Sequence, residues 1–166
     1  MADKKQFLET ISRYQSIIHK VCWVYFRNKC DREDTFQEIL YQLWKSFPRL
    51  ENYKSTGSWI YAVSINISLA RLRKNTRVDY TDRVPDIADR YDFLEKMTRD
   101  ESLQKLLDAI YLLDEIDKSI MLLYLEEKNY EEIAEIIGIT RSNVGVRINR
   151  AKEVLKQNLN RLNYGK

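Results

Sequence analysis

Residues 129–159 read NYEEIAEIIGITRSNVGVRINRAKEVLKQNL, and the spacing of their small, apolar and capping residues decides the fold of the C-terminal part. Asn129 followed three residues later by Glu132 is a capping-box pair, which satisfies the first N–H groups of a helix with Tyr130, Ile133, Ala134 and Ile137 on its inner face. Gly138 ends that helix, because glycine takes the left-handed backbone of a helix C-terminus without a steric penalty, and Thr140 caps the next one. The second helix carries Val144, Ile148, Ala151, Leu155 and Leu159 on one face, leaving Arg141, Ser142, Gly145, Val146, Asn149 and Arg150 on the other. Alanine at 134 admits a close helix crossing, glycine at 138 makes the turn, and valine at 144 locks the second helix. Residues 138–166 carry a net charge of +6, which turns a helical hairpin into a DNA-binding helix-turn-helix.

Upstream of the motif the period stays helical. Phe7, Ile11, Tyr14, Ile18, Val21 and Tyr25 predict one amphipathic helix over residues 5–27. Phe36, Ile39, Leu40, Leu43, Trp44 and Phe47 predict a second, capped by Asp31 or Asp34 and stopped by Pro48. Residues 49–58 read as a loop, and Trp59, Ile60, Val63, Ile67 and Ala70 begin a third helix that ends in the basic cluster ARLRKNTR. Residues 78–99 break the pattern and read as a flexible acidic linker, with a short helix allowed over 91–97. Two further short helices follow, one through Leu103, Leu106, Leu107, Ile110 and Leu113 and one through Ile116, Ile120, Leu123 and Tyr124. Each is too short to be stable alone in water and must pack on its neighbours.

The fold class expected is therefore all-α: two small helical domains, residues 1–77 and 101–166, joined by the acidic linker 78–100. Only 4 glycines and 2 prolines in 166 residues agree with long helices rather than many short strands.

Charge alternates along the chain. Residues 1–30 are net +4, 31–53 net −2, and 54–78 carry Lys54, Arg71, Arg73, Lys74 and Arg77 with no acid at all. Residues 79–137 are acidic before the sign returns to positive at 138. Two basic blocks separated by acid are what two separate polyanion contacts require, because phosphate neutralisation is local and screened within ~8 Å at physiological salt.

Other classes lose ground on composition. One histidine, no glycine-rich phosphate loop and no paired carboxylates with a metal partner leave no catalytic residue to name, so the chain is not expected to be an enzyme. His19, Cys22 and Cys30 are irregularly spaced and read as structural side chains, so neither a metal nor a cofactor is expected. No apolar run reaches ~18 residues and the N-terminus lacks a signal-peptide core, which points to a cytoplasmic protein with no membrane insertion.

The segment 129–159 resembles region 4 of the sigma-70 family, and DREDTFQEILYQLWKSFPRL (31–50) with GSWIYAVSINISLARLRKN (57–75) resembles its region 2. A chain holding these two regions in order is similar to the extracytoplasmic-function (ECF) sigma factors, which initiate transcription with core RNA polymerase. The resemblance implies that Asp34, Gln37, Glu38, Leu40, Leu43 and Trp44 dock on the clamp helices of the polymerase β′ subunit and that the C-terminal region meets the β flap. It implies that Tyr53, Lys54 and Ser55 line a loop capturing an unpaired base of the minus-ten element. Asn66 then faces the strand, Trp59 braces the helix, and Arg71, Arg73, Lys74 and Arg77 form a positive track. In the minus-35 element, Arg141, Ser142, Gly145, Val146, Asn149 and Arg150 occupy the base-reading positions, with Arg147, Lys152 and Lys156 placed for phosphates. Many family members carry Lys or Arg where this chain has Gly145, so either DNA approaches closely there or the position reads nothing. The family also implies an anti-sigma factor as a partner. The alternative reading is a helix-turn-helix regulator whose N-terminal helices form a dimerisation or sensor module.

Overall fold

The computed structural model of the protein describes residues 4–52, 55–74 and 99–164. Among these residues the architecture is helical throughout. α1 (Lys4–Tyr25), α2 (Lys29–Ser46) and α3 (Thr56–Lys74) form an N-terminal unit, with a 3-10 turn (Phe47–Asn52) after α2. α4 (Glu101–Tyr111), α5 (Glu115–Leu125), α6 (Tyr130–Ile137) and α7 (Arg141–Tyr164) form the C-terminal one. The expected linker, including the short helix over 91–97, lies outside the described residues apart from Arg99 and Asp100.

Local chemistry sets most helix ends. Asp100 and Asp114 start α4 and α5, their carboxylates accepting from the backbone N–H of Leu103 and Asp117 at 3.0 Å. α2 starts earlier than expected: its cap is Asn28, whose side chain accepts from the Cys30 N–H at 2.7 Å, not Asp31 or Asp34. Asp31 instead lies in the first turn, where its charge complements the helix dipole. α3 also starts earlier, at Thr56. The Ser55 hydroxyl accepts from the Ser58 N–H at 3.1 Å, and Gly57 lies buried inside the helix. The hydroxyl-rich stretch read as loop chemistry is partly a helix start.

Two apolar clusters hold the helices, and α1 belongs to both. Phe7, Ile11 and Ile18 pack with Ile39, Leu43 and Trp59 of α2 and α3. Farther along the same helix, Val21, Val24 and Tyr25 pack with Leu107 and Ile110 of α4 and Ile120 of α5. Phe7 meets Trp44 and Phe47 edge-on, with ring centroids 4.9 and 5.4 Å away. His19 is buried and stacks on Phe36 at 4.4 Å. Burial pushes the Cys22 thiol up to about 12, so it stays protonated and inert, whereas Cys30 is exposed.

Candidate nucleic-acid and protein interfaces

The helix-turn-helix forms as its residues dictate. Asn129 accepts from the Glu132 N–H at 2.8 Å and Glu132 accepts in return from the Asn129 N–H at 3.4 Å. Gly138 adopts φ +84°, and its N–H and that of Ile139 donate to the Ala134 carbonyl, at 2.8 and 3.2 Å. The Thr140 hydroxyl accepts from the Asn143 N–H at 3.1 Å, starting α7. Val144, Ile148 and Ala151 are buried, and this fixes the rotation of α7 about its axis. Arg141, Ser142, Val146, Asn149 and Arg150 are thereby exposed together, as the sequence predicts. Val146 is 63% exposed, an apolar side chain that no packing requirement places on the surface.

α5 supplies a residue the sequence reading missed. Asp117 is buried and receives Arg147 at 3.1 Å and Arg150 at 3.7 Å, one guanidinium on each carboxylate oxygen. Burial pushes this carboxyl above the usual range, while the Arg147 hydrogen bond acts in the opposite direction. The role of Arg147 changes accordingly: it bridges α5 and α7 instead of standing ready for a phosphate. Arg150 keeps most of its surface and is held from behind. The available signal was an acid inside the apolar stripe of α5, between Ile116 and Ile120.

Gly145 lies beside the neighbouring helix. A Cβ built at this position would lie 3.4 Å from a ring carbon of Tyr130 on α6. The glycine faces the neighbouring helix, and a Cβ there would sit at van der Waals distance from the ring. Lys152 and Lys156 are exposed on α7, with the Lys152 ammonium 4.6 Å from the centre of the Tyr124 ring. Arg141 pairs at 3.5 Å with Glu131 on the surface, a contact of small energetic weight.

In the N-terminal unit the structure divides the candidates. Tyr53, Lys54 and Arg77 lie outside the described residues. Ser55 is exposed and caps α3, Asn66 is exposed midway along α3, and Arg73 and Lys74 are exposed at its end. Trp59 is fully buried and stacks on Phe47 at 6.1 Å, a core brace. Arg71 leaves the positive track. It is only 10% exposed and binds Glu38 at 3.1 Å and Asp34 at 3.5 Å, tying α3 to α2.

The outward face expected on α2 narrows for the same kind of reason. Leu40 and Leu43 are 2% and 0% exposed, so they fill the core and offer nothing to a partner. Their position in the stripe with Phe36 and Ile39 turns them inward. Asp34 is exposed, while Gln37, Glu38 and Trp44 are half-buried at the edge of α2. The remaining face is polar and partly engaged by Arg71.

Comparison with known proteins gives a consistent picture. The family described as "Sigma-70 region 2" matches residues 10–78, and "Sigma-70, region 4" matches residues 103–155. The chain is 24% identical over 171 residues to the ECF RNA polymerase sigma factor SigW of Bacillus subtilis (strain 168), covering 95% of this chain and 90% of that protein. It is 27% identical over 169 residues to the ECF RNA polymerase sigma-E factor of Haemophilus influenzae, covering 95% and 89%. Among solved structures it resembles the sigma factor RpoE of Bartonella quintana, crystallised in complex with the anti-sigma factor NepR. The TM-score is 0.70 at 17% identity, over 94% of this chain and 98% of that one, a likeness of fold.

Proposed function

We propose, from the premise that the chain belongs to the sigma-70 family as a sigma factor of the ECF type, a specific division of labour among its helices. α7 reads the minus-35 element of promoter DNA through Arg141, Ser142, Val146, Asn149 and Arg150. Lys152 and Lys156 meet phosphates, and Arg147 and Asp117 position Arg150. α3 presents Asn66, Arg73 and Lys74 to the minus-ten strand, with Tyr53, Lys54 and Ser55 as further contacts. The outer edge of α2, with Asp34, Gln37, Glu38 and Trp44, meets the clamp helices of the polymerase β′ subunit. The C-terminal unit meets the β flap.

The observation that carries this reading is the rotation of α7, set by buried Val144, Ile148 and Ala151, which puts five polar or thymine-compatible side chains on one exposed face. Valine at 146 suits contact with a thymine methyl, and arginine at 150 suits the acceptor edge of guanine. Strand separation then draws on binding free energy: unstacking costs a few kcal/mol and is offset by base capture and phosphate contacts. No covalent chemistry is required of the protein, so it acts as a non-enzymatic factor. Transcription takes place in the cytoplasm, and among the described residues no helix is long and apolar enough to cross a membrane. An anti-sigma factor that covers both basic surfaces is a further partner in keeping with the family.

Transcription in vitro with purified core polymerase tests the assignment. Arg150→Ala is expected to weaken dependence on the minus-35 element by about 5- to 150-fold, the equivalent of ~1–3 kcal/mol for a lost base contact. Asn66→Ala is expected to impair melting while leaving duplex binding intact. A sequence-specific footprint from the isolated protein, without co-elution with core polymerase, would favour the stand-alone regulator.

A further inference from the structure

The outward stripe of α7 is longer than the set of side chains assigned so far to base reading. Val144, Ile148, Ala151 and Leu155 are buried. At about 3.6 residues per turn, Val146, Asn149, Arg150 and Glu153 line the opposite side, at spacings of i, i+3, i+4 and i+7. All four are exposed. This is the pattern by which one helix lying in a major groove reaches base edges. From Val146 to Glu153 the helix rises ~10 Å, about three base-pair steps of ~3.4 Å. Glu153 is also the only acid between residues 138 and 166, a stretch of net charge +6.

The Glu153 carboxylate stays unneutralised for a structural reason. Arg150, one turn before it, is placed to pair with an acid three residues on. Its guanidinium instead leans the other way, onto the buried carboxylate of Asp117 at 3.7 Å. Among the described residues Glu153 forms no ion pair or hydrogen bond. An ionised carboxylate accepts hydrogen bonds and donates none. In the major groove guanine and thymine present no donor to it, and adenine places its N7 acceptor beside the amino group. Cytosine alone presents an amino donor with no acceptor next to it on the same base. Every other base edge, and every phosphate, repels a carboxylate at this place or leaves it unpaired.

We infer that Glu153 is a further base-reading residue of α7 and that the base it selects is cytosine, through the N4 amino group. It selects as much by rejection as by attraction: any other base at that step leaves an anion unpaired in the groove, which lowers affinity for wrong promoters. Asp117 takes part indirectly, because it withdraws the guanidinium that would neutralise Glu153. This role rests on the reading of α7 as the minus-35 helix and extends it by one residue and one base pair.

Holoenzyme assembled from core polymerase and the full chain, offered promoters randomised across the minus-35 element, tests this role through the sequences recovered in open complexes. Wild type should prefer a C·G pair by at least about fivefold at one position, about three pairs from the one whose preference Val146→Ala relaxes. Glu153→Ala should level that position alone and raise the recovery of promoters lacking the cytosine. Glu153→Gln, which gains a donor beside its acceptor, should turn the same position towards adenine. Absence of a cytosine preference in the wild type, or one that survives Glu153→Ala, overturns the role. A uniform rise in recovery of all sequences with Glu153→Ala also overturns it, as the mark of a charge that only repels phosphate. Weaker co-elution of Glu153→Ala with core polymerase does the same, by placing the side chain on a protein partner. If Arg150→Ala too leaves every minus-35 preference unchanged, the minus-35 reading itself fails. If Arg150→Ala relaxes a position and Glu153→Ala relaxes none, the role of Glu153 alone is lost.

Discussion

α3 and α7 are the two helices that carry the basic blocks, and they treat their arginines differently. On α7, Arg147 is drawn down to buried Asp117 and Arg150 is steadied by the same carboxylate while remaining largely in solvent. On α3, Arg71 is withdrawn almost completely by Glu38 and Asp34, and Arg73 and Lys74 are left outside. A cluster of positive charge in a sequence is therefore a mixture of struts and contacts. What separates them is whether an acid from a neighbouring helix is within reach, and in both helices that acid lies on another element.

This contrast can be broken by mutation. The largest effect is expected at Leu43, whose truncation to alanine opens a void in the N-terminal core and should cost ~2–5 kcal/mol in urea denaturation. Gln37→Ala, two turns earlier at the helix edge, should stay within ~0.5 kcal/mol and weaken polymerase binding only. Asp117→Ala removes the shared carboxylate and leaves a half-buried guanidinium without its anion. The loss should be about 2–3 kcal/mol, below the ~3–5 typical of a fully buried pair because Arg147 keeps some solvent. Promoter affinity of this variant should fall beyond what its lower stability explains, because Arg150 loses its orientation. At the end of α3 the distinction becomes one of salt dependence. Arg73→Ala should reduce the slope of log affinity against log salt by about one unit with stability unchanged, and Arg71→Ala should lower the melting temperature instead.

A stabilising change is expected in a turn. Glu127 closes α5 with φ +65°, and the N–H groups of Glu127 and Lys128 return to the carbonyls of Tyr124 and Leu123 at 3.0 Å. This is a Schellman closure with glutamate where glycine is usual. Glu127→Gly should raise stability by roughly 0.5–1 kcal/mol in thermal melts, the left-handed backbone penalty offset in part by added chain entropy.

Most of the C-terminal motif was legible because its determinants are local. The Asn129–Glu132 box, the Gly138 turn and the Thr140 cap each involve residues within about four positions of one another, and the stripe through Val144 and Ile148 fixes a face. The α2 surface was less legible because periodicity alone does not separate a buried leucine from one that docks on a partner. Leu40 and Leu43 are settled by α1 packing over them. The destinations of Arg71 and Arg147 depend on acids 33 and 30 residues away in sequence, a distance over which spacing carries no information. The sharing of α1 between two cores was equally hidden, since its stripe looks the same whichever helices cover it.

Gly145 and Tyr130 have a consequence for how such a recognition helix changes over generations. Because the ring of Tyr130 lies 3.4 Å from the place of a Cβ, at van der Waals distance, any side chain at 145 leaves the backbone alongside that ring. Retargeting this helix at 145 should therefore depend on which residue stands at 130, and pairing each change at 145 with one at 130 measures that dependence.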